Sequence, residues 1–279
     1  MGLLLRFLTV SVAIPLAVSL LLSPLGGRLL LLSLFSLSIH EYFSLNCFLP
    51  PPIPHQHADL LSTLVLACAL LESPPLASSL PSLLSPLSLL LTLVLLALRL
   101  LPSLPARPLP LLLSALAPLY VALGFHSLLG IHSLSLPHAL MFCAYTWLAD
   151  TGALLAGTYL PTIPAPALLR RVSPGKTGTG YLGAFAVTTL SVALLDGRFL
   201  PGDGGGWARP LVKGPLVAGL AVAGDLIESG MKRAAGAKDS GTFFPGHGGA
   251  LDRMDSMLLS APVYLWLYVL PGALEELGK

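Results

Sequence analysis

Long apolar runs, broken by proline, glycine and charged residues, dominate the pattern of hydrophobic and polar positions along the chain. A helix that crosses a bilayer needs about 20 mostly apolar residues, and nine runs satisfy this requirement. They cover residues 5–22, 29–46, 59–77, 84–101, 109–127, 137–157, 180–198, 211–230 and 254–272. The pattern predicts an all-α, polytopic membrane protein with about nine transmembrane helices. The break between the third and fourth runs is the least defined, because proline and serine are frequent there.

Composition supports a membrane protein rather than a soluble one. Hydrophobic residues make up 54% of the 279 residues and charged residues only 10%, and the mean hydropathy is +0.83. A soluble domain would have roughly a quarter of its residues charged. The net charge of +2 is too small and too dispersed to favour nucleic acid as a partner. Three widely spaced cysteines indicate neither a disulfide framework nor a zinc site.

The basic residues predict how the chain crosses the bilayer. With nine spans, ten of the 15 Lys and Arg residues fall on the side of the N-terminus, which favours a cytoplasmic N-terminus. The other five are Arg28, Arg198, Arg209, Lys213 and Lys279. No small-residue cleavage site follows the first run, so we expect it to be retained as a helix. We expect a multi-pass protein with its polar site facing the cytoplasm, in a bacterial plasma membrane or, as the alternative, in the membrane of an organelle.

Charge is concentrated in the second half of the chain. The segment from Ser229 to Ser256, SGMKRAAGAKDSGTFFPGHGGALDRMDS, holds seven of the 28 charged residues. We therefore predict two regions, a hydrophobic transmembrane scaffold at residues 1–136 and a transmembrane catalytic region at residues 137–279.

The eighth apolar run contains a polar stripe. Asp225, Glu228, Ser229 and Lys232 follow one another at helical spacing and share one face. Carboxylates inside an apolar span face a cavity, a partner charge or a metal, because each costs at least ~2.5 kcal/mol near the bilayer centre. The alternative is an ion pair of Lys232 with Asp225 or Glu228 near the membrane surface.

The loop after this run has the character of a phosphate-binding segment. Glycines 246, 248 and 249 surround His247 and allow a ligand to approach the backbone closely. Lys238 and Asp239 precede them. A glycine-rich loop alone is weak evidence for a binding site.

Two aspartates at the start of the ninth run are more informative. Asp252 and Asp255 are spaced i, i+3, with Arg253 between them, so both carboxylates can lie on one side of a helix. Such oxygens suit Mg²⁺, which also binds substrate phosphates. The alternative is that Asp252 caps the helix and Asp255 interacts favourably with the helix dipole.

A third polar cluster follows the sixth run. Asp150 lies near the end of that run, and the loop behind it reads RRVSPGKTGTG, with Ser173, Lys176 and Thr177. This loop is not a Walker A motif, because Arg170 stands where the first glycine is required. A basic, hydroxyl-rich loop at a membrane surface suits phosphate or anionic lipid, or serves only as a topology signal.

The segment from Ser229 to Ser256 resembles the signature of the phosphatidate cytidylyltransferases, also called CDP-diacylglycerol synthases. The matching elements are Ser229, the pairs Lys232–Arg233 and Lys238–Asp239, the run Pro-Gly-His-Gly-Gly, and the aspartates at positions 252 and 255. The resemblance covers roughly residues 145–260. It implies a polytopic membrane enzyme that uses Mg²⁺, with a second cation left open, to join CTP and phosphatidic acid into CDP-diacylglycerol and pyrophosphate.

The resemblance also implies roles for individual residues. Metal ligands would be Asp225, Asp252 and Asp255, and the catalytic group would further include Lys232, Asp239 and His247, with His247 positioning substrate or leaving group. Substrate would be bound by Ser173, Lys176, Thr177, Ser229, Arg233, Lys238, Gly248, Gly249 and Arg253.

One loop departs from the family pattern. Members usually read Ser-Pro-Lys-Lys-Thr-Trp-Glu-Gly after the sixth span, whereas this chain has Gly175, Gly178 and Thr179 in place of the first Lys, the Trp and the Glu. The alternatives that this change opens are an altered substrate or reduced activity. Because all the proposed metal carboxylates are present, we expect a working enzyme.

Other functions fit parts of the pattern. A CTP-dependent lipid-alcohol kinase would share the metal and nucleotide requirements but release CDP, and a transporter would distribute polar residues along a path through the membrane. A non-catalytic scaffold is a third option. The sequence does not set the oligomeric state, and a homodimer is one option.

Overall fold

The computed structural model describes residues 2–45, 108–200, 208–246 and 248–277. Within these ranges the chain is helical, and the only strand-like features are two isolated bridges. The helices are α1 (Gly2–Leu21), α2 (Pro24–Leu45), α3 (Pro108–Leu134), α4 (Leu136–Tyr159), α5 (Ala167–Val172), α6 (Gly178–Phe199), α7 (Ala208–Ala234), α8 (Leu251–Tyr264) and α9 (Leu270–Leu277), with a π-helical turn (Leu265–Val269) joining the last two. The all-α prediction is confirmed.

Seven of the nine predicted spans correspond to helices. The remaining two, 59–77 and 84–101, lie outside the described residues, so the total number of spans stays a prediction. The ninth span is observed as α8, the π-helical turn and α9 in continuous succession. The short helix α5 was not predicted; it carries Arg170 and Arg171 in its last turn.

Local sequence explains where several helices begin and end. The Ser135 hydroxyl caps α4, and Pro137 stands in the first turn, where a missing N–H costs nothing. The Thr177 hydroxyl caps α6 by accepting from the Gly180 amide at 3.0 Å. At the end of α7, Gly236 adopts φ +68°, a left-handed conformation that favours glycine and stops the helix.

Among the residues that the structure describes, four helices are long and apolar enough to cross a membrane, by length and composition: Leu136–Tyr159, Gly178–Phe199, Arg209–Ala234 and Leu251–Glu275. Large side chains on their outer faces are exposed, including Leu154, Leu182, Leu194 and Leu211. Such a surface is unfavourable in water and suits contact with lipid. The protein is therefore an integral membrane protein.

Small residues allow the helices to approach one another closely. A Cβ at Gly152 of α4 would lie 2.7 Å from the carbonyl oxygen of Gly183 in α6, so the two backbones touch. In the same way Gly224 of α7 lies against the carbonyl of Asp255 in α8. Helix α8 also packs on α2, α3 and α4, and this central position brings its first turn among residues from several helices.

A buried ion pair joins α6 and α7 near the end away from Asp225. Lys213, which is fully buried, donates to Asp196 at 2.8 Å. Its ammonium group also lies 5.0–5.4 Å from the ring centres of Tyr145, Tyr264 and Tyr268, within cation–π range. Tyr145 donates a further hydrogen bond to Asp196. This cluster connects α4, α6, α7, α8 and the π-helical turn.

Candidate active site

Polar side chains from four parts of the chain meet around the end of α7. They come from α4, from the 173–177 loop, from the last turns of α7 and from the first turns of α8. The backbone contact at Gly224 sets α7 against α8, and the Tyr120 hydroxyl of α3 donates to the Asp255 carbonyl at 3.1 Å. The carboxylates of Asp225 and Asp255 therefore lie on facing helices.

Asp225 is held by two donors on opposite oxygens. Lys176 of the 173–177 loop forms an ion pair with Oδ2, and the Ser229 hydroxyl donates to Oδ1 at 3.2 Å. The two side chains of the ion pair are about a quarter exposed, at 28% and 24%. The predicted loop and the predicted helix thus meet at one ion pair, which stays accessible to a ligand from solution.

Three aspartates from three helices form the acidic part of the site. Asp255 interacts electrostatically with Asp225 and with Asp150, and Asp150 interacts with Asp225. The Ser256 hydroxyl lies 3.5 Å from Asp150. Like charges brought together in this way repel, and a cation or a phosphate-bound metal relieves that repulsion.

Lys232 is the basic centre of the neighbouring part of the site. Its ammonium donates to Asp252 Oδ1 at 2.7 Å and forms an ion pair with the fully buried Glu228. The pair of Lys232 with Glu228, one alternative in the sequence analysis, is therefore observed. Asp252 does not cap α8 as the N-cap residue; its Oδ2 instead accepts from the backbone amides of Ser240 and Gly249, both at 2.8 Å.

One residue of this network was missed by the sequence analysis. Glu41 of α2 is buried, and its carboxylate accepts from the Ser240 hydroxyl and from the amides of Ala250 and Leu251, each at 2.9 Å. The signal was present in the sequence, because Glu41 is a carboxylate within an apolar run. The first region of the chain therefore contributes a side chain to the loop before α8, while the boundary at residue 136 stays a prediction.

The altered loop packs against the segment that follows α4. The Gly178 amide donates to the Ile163 carbonyl at 2.7 Å, and a Cβ at Gly178 would lie 3.1 Å from the carbonyl oxygens of Ile163 and Pro164. The Thr179 hydroxyl donates to Pro161 at 2.8 Å and accepts from the Ile163 amide at 2.7 Å. Two of the three residues that differ from the family pattern, Gly178 and Thr179, thus fix this segment, and Lys176 remains directed at Asp225.

The remaining predicted residues lie around this core. Arg233, Lys238, Asp239 and Arg253 are exposed, and Ser173 ends α5. Gly248 has φ +81°, and a Cβ there would overlap Asp252 Oδ2. His247 lies outside the described residues. Thr177, predicted to bind substrate, has its hydroxyl engaged as the cap of α6.

The donor chemistry of the site suits a hard divalent cation. Five carboxyl groups, those of Asp150, Asp225, Glu228, Asp252 and Asp255, share this region with Lys176 and Lys232. Within the described ranges no three His, Cys, Asp or Glu side chains are grouped closely enough to hold a metal as they stand. The charge fits Mg²⁺, and binding would require the carboxylates to draw together.

Comparison with known proteins assigns the family. The sequence profile of the cytidylyltransferase family matches residues 4–270, nearly the whole chain. The chain belongs to the cytidylyltransferase family. The match includes both the polar site and the apolar helices that precede it.

Individual cytidylyltransferases resemble part of the chain. It is 38% identical over 155 residues to a phosphatidate cytidylyltransferase of Helicobacter pylori, covering 54% of this chain and 55% of that protein. A protein of the same name from Staphylococcus saprophyticus is 35% identical over 144 residues, covering 52% and 54%. One from Brucella suis is 39% identical over 125 residues, covering 45% and 44%. The chain thus spans about half the length of the curated relatives that it matches.

Proposed function

We propose that the protein is a phosphatidate cytidylyltransferase, which transfers a cytidylyl group from CTP to phosphatidic acid. The observation that carries the proposal is the meeting of Lys176 with Asp225, beside Asp255 and Asp150, at the end of a membrane-spanning helix. A water-soluble nucleotide and a lipid phosphate both need such a site, with charge at the membrane edge and apolar helices beside it. The names of the relatives support this substrate pair.

In the proposed reaction, a phosphate oxygen of phosphatidic acid attacks the α-phosphorus of CTP in line. The bond between the α-phosphorus and the bridging oxygen to the β-phosphate breaks, and pyrophosphate leaves with that electron pair. CDP-diacylglycerol is the lipid product. Because the lipid phosphate is already ionised at neutral pH, the reaction needs no strong general base, and catalysis depends on positioning and on charge.

The lysines are suited to hold the phosphates. Lys176 and Lys232 are each bound to carboxylates, and each can exchange one of those contacts for a substrate phosphate oxygen. The exposed Arg233, Lys238 and Arg253 add positive charge at the edge of the site. The proposed roles of Asp239, His247, Gly248 and Gly249 in the loop follow the family resemblance.

We propose Mg²⁺ as the cofactor, with Asp225, Asp252 and Asp255 as its ligands. When bound, the ion would neutralise phosphate charge and polarise the α-phosphate. Asp255 is the most available of the three, because both oxygens of Asp225 already accept from Lys176 and Ser229. Both oxygens of Asp252 likewise accept hydrogen bonds, from Lys232, Ser240 and Gly249. Asp252 would have to exchange one of these bonds to bind the ion.

We also propose that the site faces the cytoplasm, in the plasma membrane of a bacterium. CTP is a cytosolic metabolite, the basic residues favour this orientation, and the named relatives are bacterial.

The deciding experiment supplies radiolabelled CTP, phosphatidic acid and Mg²⁺ to the purified protein in detergent micelles. Labelled CDP-diacylglycerol with release of pyrophosphate is the expected result. Release of CDP would instead identify a kinase, which transfers the terminal phosphoryl group. If no labelled lipid forms with CTP or dCTP, the proposed function is wrong.

A further inference from the structure

The loop that joins α7 to α8 has a buried acidic anchor on a distant helix. Glu41 is 6% exposed and lies in α2, about 200 residues away in sequence from the loop that it contacts. A carboxylate in an apolar membrane helix is costly unless donors satisfy it. Here three donors from residues 240–251 supply that compensation.

Both side-chain oxygens of Glu41 accept hydrogen bonds from the loop, and only a carboxylate offers two such acceptors. Oε1 accepts from the Ala250 amide, and Oε2 accepts from the Leu251 amide and the Ser240 hydroxyl. These two amides precede or begin α8, where backbone N–H groups lack partners within the helix. Glu41 therefore acts as a cap supplied by another helix, and it fixes the direction in which α8 starts.

Two glycines keep space for this carboxylate. A Cβ at Gly249 would overlap Glu41 Oε2, and one at Gly241 would press on Oε1. The loop backbone can close around the acid only because both positions lack a side chain.

The anchor connects to the proposed reacting groups through one serine. The Ser240 hydroxyl donates to Glu41 and accepts from the Asp252 amide at 3.3 Å, while the Ser240 amide donates to Asp252 Oδ2. Asp252 in turn binds Lys232. A continuous chain of hydrogen bonds thus leads from α2 to the ion pair on α7.

We propose that Glu41 is a positioning residue, which holds the loop of residues 240–251 so that Asp252 and Lys232 are correctly placed for the reaction. The part of this inference that concerns turnover rests on the proposed function, whereas the part that concerns the loop does not.

The test replaces Glu41 with Gln, which removes the charge and keeps the shape. In either orientation of the amide, its NH₂ group faces the Ala250 or the Leu251 amide, so one backbone donor loses its acceptor. We expect kcat to fall about 10- to 100-fold, with smaller changes in KM for CTP. Hydrogen exchange at the amides of Ala250 and Leu251 should become faster.

Phe35→Leu provides the matched control for lost stability. Phe35 lies on the same helix, is buried, and packs against Phe125 with ring centres 5.2 Å apart. This change should lower the melting temperature while kcat per folded molecule and the exchange of the two loop amides stay near the parent values.

A pair of substitutions that enlarges residue 241 and shortens residue 41 gives a second, independent test. Gly241→Ala alone should disturb the loop, because its Cβ presses on Glu41. Combining it with Glu41→Asp, which shortens the acid, should restore part of the protection of the Ala250 and Leu251 amides.

The inference is overturned if Glu41→Gln leaves the exchange of both amides unchanged, or if it lowers activity only in proportion to lost folding, as Phe35→Leu does. Absence of cytidylyl transfer by the parent protein would instead refute the proposed function, and the exchange measurements would still decide the role of Glu41 in the loop.

Discussion

At single residues, the proposed reaction depends on negative charge at Asp225 and Asp255. Changing either to Asn removes that charge and keeps the size of the side chain, so we expect each variant to insert into the membrane normally. Turnover should fall at least about 100-fold, because charge stabilisation by a bound ion is worth several kcal/mol. Initial rates measured against Mg²⁺ concentration provide the readout.

Glu275→Gln is the matched control, because this exposed acid lies in α9, at the opposite end of the span from Asp255. It should behave like the parent. Near-normal turnover of both aspartate variants at low Mg²⁺ would show that the ion is bound elsewhere.

Lys176 is the second residue whose charge can be tested directly. Its ion pair with Asp225 shows that the altered loop still reaches the site. A charge-assisted contact to phosphate contributes about 1.5–3 kcal/mol, so Lys176→Ala should lower kcat/KM for one substrate about 10- to 100-fold.

Arg171→Ala serves as the comparison, since Arg171 is exposed on the short helix α5 in the same connection. Equal, small effects of both variants would mean that the loop only determines topology. Substitution of Gly178 by Trp is a poor test of the family pattern, because the Ile163 and Pro164 carbonyls occupy the space that the side chain would need.

At the level of elements, the site depends on the close contact of α7 with α8. A Cβ at Gly224 would overlap the Asp255 carbonyl and lie 3.3 Å from the Tyr120 hydroxyl. Gly224→Ala should therefore separate the two helices, lower the melting temperature by several degrees and reduce turnover more than about tenfold. Thermal unfolding in detergent and initial rates measure the two effects.

Gly197→Ala controls for the substitution itself, because a Cβ at Gly197 of α6 meets no atom within 4 Å. It should leave both quantities unchanged or raise stability slightly, since alanine favours the helix. If Gly224→Ala were equally harmless, the backbone contact would not position the aspartates.

The bounds of the helices follow from the sequence far better than their contacts do. Seven predicted spans agree with observed helices, and several of the observed helices extend further at one or both ends. The agreement follows because apolar length and terminal Gly, Pro and Thr residues are local properties of the sequence. Helix α5 was missed because six residues give no periodic pattern. Glu41 was missed because its partners, two backbone amides and the Ser240 hydroxyl, are distant in sequence.

At the scale of the whole molecule, the cluster around Lys213 should stabilise the bundle without taking part in the reaction. Lys213 lies 12 residues before Asp225 on α7, about 18 Å along the helix. In Lys213→Met, the buried Asp196 keeps the hydrogen bond from Tyr145 but loses its ion pair. We expect the free energy of unfolding to fall by about 3–5 kcal/mol. Turnover per folded molecule should be kept.

The double variant Lys213→Met with Asp196→Asn should recover part of the lost stability, because it removes the uncompensated charge. Unfolding by denaturant in detergent compares the three proteins. A loss of turnover per folded molecule in the single variant would show that the cluster around Lys213 also affects the reaction at the proposed active site.

Topology is the remaining prediction at this scale. In a cysteine-free background, cysteines at Pro174 and Thr242, both exposed, should react with impermeant thiol reagents from the cytoplasmic side. A cysteine at Gly205 should react only from the other side, because α6 and α7 each cross the membrane once between these positions. Labelling of Pro174 and Gly205 from one side would contradict the predicted orientation.

The sequence by itself determined that the chain spans a membrane as helices and that its charge gathers near residues 225–255. Both conclusions rest on properties that a linear pattern records, namely the apolar length that a bilayer requires and the cost of placing ionisable groups within it. The family signature lies in the same segment, so the proposed chemistry could also be read from the chain.

Only the tertiary structure decided which groups meet. Lys176 pairs with Asp225, Lys232 joins Glu228 to Asp252, and Glu41 reaches the loop before α8. Lys213, counted with the residues on the far side in the sequence analysis, is fully buried among three tyrosines. These pairings depend on which helix faces touch and on glycines that let backbones approach, and side chains far apart in sequence carry no local pattern that records such contacts.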